Sequence, residues 1–272
     1  MFTVRKINSL DLPELQPYRT MRRQLEQRAS GIFVAEGEKV VMRLLESQLP
    51  VVSLLLPEEC VGRLEPLLNI RPEHIELFVA DKRVLEGLTG FSMYQGVLGV
   101  GKVPEQHELA NILDRSTKPW LIAVADGISN AENLGALARN CAAFNVQLLI
   151  VGKTCCSPFL RRAVRSSMGA IFYLPVIESN NVPDTLCDLK RRGIRCIAAH
   201  PHSEKRTLFQ ADFRSDCCVV FGSEGQGLSP DVLQVCEEHI AIPMAQKIDS
   251  LNVGSAAAVF LYEVNRQRNA MR

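Results

Sequence analysis

Between Cys217 and Tyr262 the chain reads CCVVFGSEGQGLSPDVLQVCEEHIAIPMAQKIDSLNVGSAAAVFLY. An apolar run, Cys217–Phe221, meets a turn of small and polar residues, Gly222-Ser223-Glu224-Gly225-Gln226-Gly227. A short helical pattern follows, then a second apolar run, Ile240–Met244. A polar loop through Ser250-Leu251-Asn252 leads into an alanine-rich helix that begins near Val253. Two strand-to-loop transitions this rich in small residues put backbone where it can approach a ligand closely.

The same grammar governs the sequence upstream. A buried strand is predicted at Leu121–Ala125, followed by DGISNAENLGALARNCAAF, Asp126 to Phe144. Asn133 is expected to cap the helix of that segment, and Gly135 permits close approach at its first turn. Arg139 follows on an early part of the helix, where its charge does not complement the helix dipole. By its residue type alone it is either an ordinary surface side chain or a functional one. Further strands are predicted at Gln147–Val151, Ile171–Val176 and Arg195–Ala199, and helices at Leu160–Gly169 and Val182–Arg192, with Gly193 as a C-terminal stop. Strands and helices alternate, which predicts a mostly parallel sheet. The turn carrying Arg161, Arg162 and Arg165 is either solvated or phosphate-facing.

The first half repeats the alternation on a smaller scale. Strands are predicted at Ile32–Ala35, Val51–Leu56, Ile75–Ala80 and Tyr94–Val100, with helices at Glu38–Gln48, Val61–Leu68 and Lys82–Leu88. Before them, Leu15–Arg28 is an arginine-rich helical pattern holding Arg19, Arg22, Arg23 and Arg28. It is a solvated face or a phosphate-contacting surface, since guanidinium groups suit phosphate oxygens. The polar stretch 103–118, bounded by Pro104 and Pro119, reads as a linker with a short helix at Glu108–Leu113. The expected organisation is therefore a small α/β domain at 1–102, the linker, and a second domain at 119–272.

Composition removes several classes of function. The formal net charge is +1, so any claim on nucleic acid must rest on local patches. No apolar run approaches the ~20 residues needed to cross a bilayer, and the start lacks the apolar core of a secretory signal. Nine cysteines show no metal-type spacing; Cys155-Cys156 and Cys217-Cys218 are adjacent pairs. They read as reduced thiols of a cytoplasmic protein. His200-Pro201-His202 reads as a loop, with no cluster of further ligands beside it in sequence, so no metal is expected. The loop Gly222–Gly227 does not match a dinucleotide fingerprint, because only a short helix fits after it and the next strand ends in Pro243-Met244 instead of an acid. There is no Gly-Lys-Ser/Thr phosphate loop.

Three segments taken in order carry a family resemblance: Asn133-Leu134-Gly135-Ala136-Leu137-Ala138-Arg139, Phe221-Gly222-Ser223-Glu224-Gly225-Gln226-Gly227-Leu228, and Ile242-Pro243-Met244 with Ser250-Leu251-Asn252-Val253. Together they resemble the SpoU/TrmH-type branch of the SPOUT methyltransferases, over the whole second domain. The first domain is similar, through Phe33-Val34-Ala35-Glu36-Gly37 and Tyr94-Gln95-Gly96-Val97-Leu98, to the small ribosomal-protein-like domain common in that family. The resemblance implies an α/β fold whose C-terminal, mostly parallel sheet is tied in a deep trefoil knot. It also implies bound S-adenosyl-L-methionine, a homodimer formed through the knotted domain, and methyl transfer to a ribose 2′-hydroxyl of RNA.

On these residues the resemblance places Arg139 at the target nucleotide, as a base or as an electrostatic stabiliser. Asn133, Glu224, Ser250 and Asn252 complete the catalytic set. Gly222, Ile242, Leu251, Ala199, Met244 and Gly227 are expected against the cofactor. Arg19, Arg22, Arg23, Arg161, Arg162 and Arg165 are expected to contact RNA. Ribosomal RNA is favoured over transfer RNA, because a separate N-terminal domain suits structured RNA. A base-methylating relative and a non-catalytic RNA-binding or ribosome-assembly factor are the competing readings. The chain departs from the family pattern at Ala131, where proline is usual, at Asn140 for threonine, at Gly254 for serine, and in the charged loop Gln246–Asp249.

Overall fold

The computed structural model of the chain describes residues 1–23, 30–89, 96–201, 206–245 and 249–269. The chain forms two units, Met1–Glu105 with Phe159–Tyr173, and Gln106–Pro158 with Leu174–Arg272.

The first unit is built on strands Phe2–Lys6 (β1), Ile32–Glu36 (β2), Val51–Leu56 (β3), Ile75–Val79 (β4) and Leu98–Lys102 (β5). Their order is β1-β4-β3-β5-β2. β4 pairs in parallel with β1 and β3, while β5 is antiparallel to β2 and β3. Within Met1–Glu105 the helices are Gln16–Arg19 (α1), Glu38–Glu46 (α2), Val61–Asn69 (α3) and Lys82–Thr89 (α4), and a further short helix, Arg161–Ser166, lies in Phe159–Tyr173. α2 buries Val40, Val41, Leu44 and Leu45, the single stripe that a period of 3.6 residues presents to a sheet. Three expectations change here. β1 has no counterpart in the predicted elements: it is an edge strand with four of its five residues exposed, and its apolar alternation is only Phe2 and Val4 long. The arginine-rich helix is, among the described residues, only the four-residue α1, and Arg28 lies outside them. The strand expected from Tyr94 begins at Leu98 instead, with Tyr94 and Gln95 outside the described residues.

The segment Phe159–Tyr173 belongs to this unit, although it was expected within the 119–272 domain. Phe33, fully buried on β2, has its ring centroid 5.4 Å from that of Phe159 and 5.3 Å from that of Phe172. Aromatic pairs at such separations add to the area they bury. The strand expected at Ile171–Val176 starts only at Val176, because Ala170–Tyr173 is a 3-10 turn that delivers Ile171 and Phe172 to the core.

The second unit holds strands Leu121–Asp126 (β6), Leu148–Gly152 (β7), Val176–Ser179 (β8), Arg195–Ala199 (β9), Cys217–Gly222 (β10) and Glu238–Ile240 (β11). They lie in the order β11-β9-β10-β6-β7-β8, every neighbouring pair parallel. Every residue of β6 and β7 is buried, which is why these strands read as unbroken apolar runs. Its helices are Leu109–Arg115 (α5), Ala131–Ala143 (α6), Val182–Arg191 (α7), Pro230–Val235 (α8) and Val253–Asn269 (α9). One face of the sheet, through Val124, Ile150 and Val220, packs with Leu186 and Leu189 of α7, Val232 of α8, and Ile112 and Leu113 of α5. Those last two residues draw much of the expected 103–118 linker into the core of this unit. Elsewhere Phe221 meets Phe260 of α9 edge to face at 6.0 Å. α9 also lies closely on α6: a Cβ added at Gly254 would sit 2.8 Å from the Ala136 Cβ. The Asn140 amide donates to the Gly254 carbonyl at 2.6 Å. No helix of the described residues is long and apolar enough to cross a membrane, and all nine cysteines are free thiols.

Candidate active site

Helix α6 begins with a side-chain cap, but the capping residue is Asn130 and not Asn133. Asn130 Oδ1 accepts from the backbone N–H of Glu132 at 2.8 Å and of Asn133 at 3.3 Å. This satisfies donors that a helix start leaves open. It also releases the Asn133 side chain, now in the first turn of the helix, for other work. Asn133 Nδ2 donates to Glu224 Oε1. Asn133 Oδ1 accepts from Asn252 Nδ2 at 3.0 Å, and the same amide reaches Glu224 Oε1 at 3.3 Å. Three side chains separated by 91 and 119 positions thus form one hydrogen-bonded cluster.

Each partner is held by its own local structure. Glu224 rides on a turn closed by Ser223 N–H to Gly227 O at 3.0 Å and Gly227 N–H to Ser223 O at 2.9 Å. That turn folds back on the end of β10 so closely that a Cβ at Gly222 would stand 2.3 Å from the Gly227 carbonyl carbon. Only glycine fits there. Asn252 fixes the start of α9, its Oδ1 accepting from Gly254 N–H at 2.9 Å. One side chain therefore caps a helix through its oxygen and joins the cluster through its nitrogen.

Beside the cluster a cavity of about 320 Å³ opens at the carboxyl ends of β9, β10 and β11. Ala199, Gly222, Gly227, Ile242, Met244 and Leu251, the six residues expected against a cofactor, all line it, as do Glu224 and Ser250. Phe221, Asp249 and Phe260, which the sequence did not place at the cofactor, line it too. Phe260 comes from the middle of α9, where nothing in an alanine-rich pattern marks a cavity wall. The acidic residues of the lining are Glu224 and Asp249; no lysine or arginine of the described residues joins them. Such a wall favours a ligand that carries positive charge.

Arg139 is exposed on α6 and makes no hydrogen bond or ion pair with the described residues. Its guanidinium keeps its full capacity for an anion. The thiols at the neighbouring strand ends are poor nucleophiles near neutral pH. Burial raises the Cys155 thiol above its ordinary value and pushes Cys156 up to about 11. Among the described residues no group of three or more His, Cys, Asp or Glu could hold a metal; His202 lies outside them.

The six arginines expected at RNA all fall in the first unit, although they are far apart in sequence. Arg22, Arg23, Arg162 and Arg165 are exposed. Arg19 lies 3.7 Å from Asp11. Arg161 is different: it is largely buried and ion-paired with Glu36, which Arg165 also contacts at 2.7 Å.

Residues 120–262, more than half of the chain, match the model of the SpoU rRNA Methylase family. An uncharacterized tRNA/rRNA methyltransferase of Mycobacterium tuberculosis is 31% identical over 264 residues, covering 94% of this chain and 90% of that protein. The 23S rRNA (guanosine-2′-O-)-methyltransferase RlmB of Ralstonia nicotianae is 31% identical over 198 residues, 72% of this chain and 79% of that protein. The crystal structure of the SpoU methyltransferase AviRb from Streptomyces viridochromogenes, in complex with AdoMet, shares the fold with a TM-score of 0.82 at 23% identity, covering 96% of this chain and 100% of that one. Through the family match and through relatives that span nearly its full length, the chain belongs to the SpoU rRNA methylase family and is a methyltransferase.

Proposed function

We propose that the protein transfers a methyl group from S-adenosyl-L-methionine to a ribose 2′-hydroxyl of RNA, with ribosomal RNA favoured over transfer RNA. The observation that carries this reading is the meeting of Asn133, Glu224 and Asn252 beside the cavity walled by the glycine turn. The Ralstonia relative, named for guanosine 2′-O chemistry on 23S rRNA, and AviRb, crystallised with AdoMet, support the same chemistry.

The cavity suits that cofactor. Ile242, Met244 and Leu251 offer apolar faces to an adenine ring, and the turn at Gly222–Gly227 offers backbone donors and acceptors. Glu224 and Asp249 match a cationic ligand. When bound, S-adenosyl-L-methionine supplies a methyl group already activated on a sulfonium centre. The protein must then align a hydroxyl and ease the loss of its proton. Asn133 and Asn252, cross-linked through Glu224, present a rigid polar edge for a ribose. A guanidinium stays protonated, so Arg139 acts by holding phosphate and stabilising the developing alkoxide. Ser250 orders the loop that closes the cavity.

Arg19, Arg22, Arg23, Arg162 and Arg165 form the RNA-contacting set on a ribosomal-protein-like first unit, and Arg161 holds Glu36 in place. The finer architecture belongs to the same proposal. The second unit carries a deep trefoil knot, and two copies associate through it, a pairing supported by Val259 and Tyr262, exposed at 38% and 59% on α9. The nine free thiols suit a reducing cytoplasm.

Ribosomal RNA and transfer RNA from cells lacking the protein, incubated with it and methyl-labelled cofactor, give the test. Label should enter ribosomal RNA in linkages that resist alkali, the mark of a blocked 2′-hydroxyl. Arg139→Ala should lower transfer by about a hundredfold or more while RNA binding persists. Failure of the wild type to label any RNA would leave an RNA-binding factor as the better reading.

A further inference from the structure

A second cavity, of about 590 Å³, lies on the other side of the glycine turn. Ser223, Gln226 and Gly227 border both cavities, so this turn is a shared wall. The second cavity opens at Asp126 and Gly127, where β6 ends beside β10. From β6 the sheet continues through β7 and β8 to one side, while β10, β9 and β11 lie to the other. A crevice at the carboxyl ends of strands where the order reverses is the place where open parallel sheets bind ligands. The cofactor cavity lies at β9, β10 and β11, across the glycine turn from this crevice.

Its chemistry is that of a nucleotide. Lys153, Asn180 and Gln226 line it, and none of their side chains has a hydrogen bond or ion pair with the described residues. Two carboxylates share the lining: Asp126 is engaged, its Oδ2 accepting from Ser229 N–H at 2.9 Å, and Asp231, exposed, sits in the first turn of α8, where a helix start suits negative charge. Two amides that both donate and accept suit the edge of a base, and a lysine beside them suits its phosphate. Lys153 is anchored through its backbone N–H to Ser179 O at 2.9 Å, so the side chain starts from a fixed point at the end of β7.

We infer that this cavity binds one nucleotide of the RNA chain. The base lies against Gln226 and Asn180, and the phosphate on Lys153. A nucleotide there touches the back of the turn that carries Glu224, so base recognition and placement of the catalytic carboxylate are mechanically joined. The inference rests on the proposed methyl transfer to RNA.

The test titrates adenosine, guanosine, cytidine and uridine 5′-monophosphate into the full chain saturated with S-adenosylhomocysteine, so that the cofactor cavity is filled. At least one nucleotide should bind, and the exposed double variant Lys153→Ala/Asn180→Ala should weaken it by about tenfold or more, the loss of one charged and one neutral hydrogen bond. S-adenosylhomocysteine affinity should stay within about twofold, showing the variant folded, since neither residue lines its cavity. No nucleotide binding by the wild type, or equal binding by the double variant, overturns the inference. Absence of S-adenosylhomocysteine binding to the wild type would sink the cofactor reading, and this proposal with it.

Discussion

Asn252 answers to two masters. Its oxygen caps α9 and its nitrogen joins Asn133 and Glu224. Serine retains the cap preference but lacks the amide donor. Asn252→Ser should therefore leave the unfolding free energy within about 1 kcal/mol and lower turnover by about tenfold or more. Parallel urea titrations and initial rates check this; a matched loss of both would make the residue merely structural. Arg71 illustrates the opposite case, a side chain with no part in catalysis. It is 8% exposed and donates to Leu45 O, Ser47 O, Leu49 O and the Glu73 carboxylate. Removing it strands these acceptors, so Arg71→Ala should destabilise the first unit by about 2–4 kcal/mol. Burial acts upward on the Glu73 carboxyl, but hydrogen bonds from Arg71 and from Val51 N–H outweigh it and hold its pKa below the ordinary 4.5. A depressed folded value means that the unfolded chain takes up the proton first. The stabilisation is then complete above pH 4.5 and is lost as pH falls through the folded value. The gap in urea midpoint between wild type and Arg71→Ala should narrow in that acid range and stay constant above it.

At the scale of elements, the contact of α6 with α9 explains two departures from the family pattern together. Gly254 stands where serine is frequent, yet a Cβ there would come within 2.8 Å of Ala136. The Gly254 carbonyl in turn accepts from Asn140, which stands where threonine is common. Gly254→Ser should force the helices apart and cost about 1–3 kcal/mol, and a second change, Ala136→Gly, should recover most of that loss. Thermal melts of the single and double variants decide it; two additive losses would mean the approach is not the cause. The same scale shows why some elements escaped the sequence. β1 is an edge strand exposed on most of its length, and its only apolar residues, Phe2 and Val4, make too short an alternation to mark it. The helix cap was misassigned by three positions because Asn130 and Asn133 are equally good capping residues, and only backbone geometry separates them.

At the scale of the molecule, the chain leaves its second unit after Pro158 and returns at Leu174, leaving Phe159–Tyr173 in the core of the first. Phe159 and Phe172 flank Phe33, and burying each such side chain is worth roughly 1.5–3 kcal/mol. A fragment of residues 1–105 should accordingly melt without cooperativity or bind hydrophobic dyes. Joining residues 159–173 to it by a flexible linker should restore a cooperative transition in circular dichroism. A fragment 1–105 as stable as the extended one would show that the segment only rests on its surface.

The alternation of apolar runs with helical patterns was enough to determine two α/β halves and a parallel second sheet, because strand and helix periods are local properties of the chain. The three glycine- and asparagine-bearing segments were legible as a family pattern for the same reason. Which of their atoms would meet was decided only by tertiary structure. Glu224 lies 91 residues from Asn133, and Asn252 lies 119 from it, distances over which no local preference reports. Likewise Phe159, Ile171 and Phe172 are apolar enough for any core. Hydrophobic burial has no direction of its own, so only the packed molecule could assign them to the first unit.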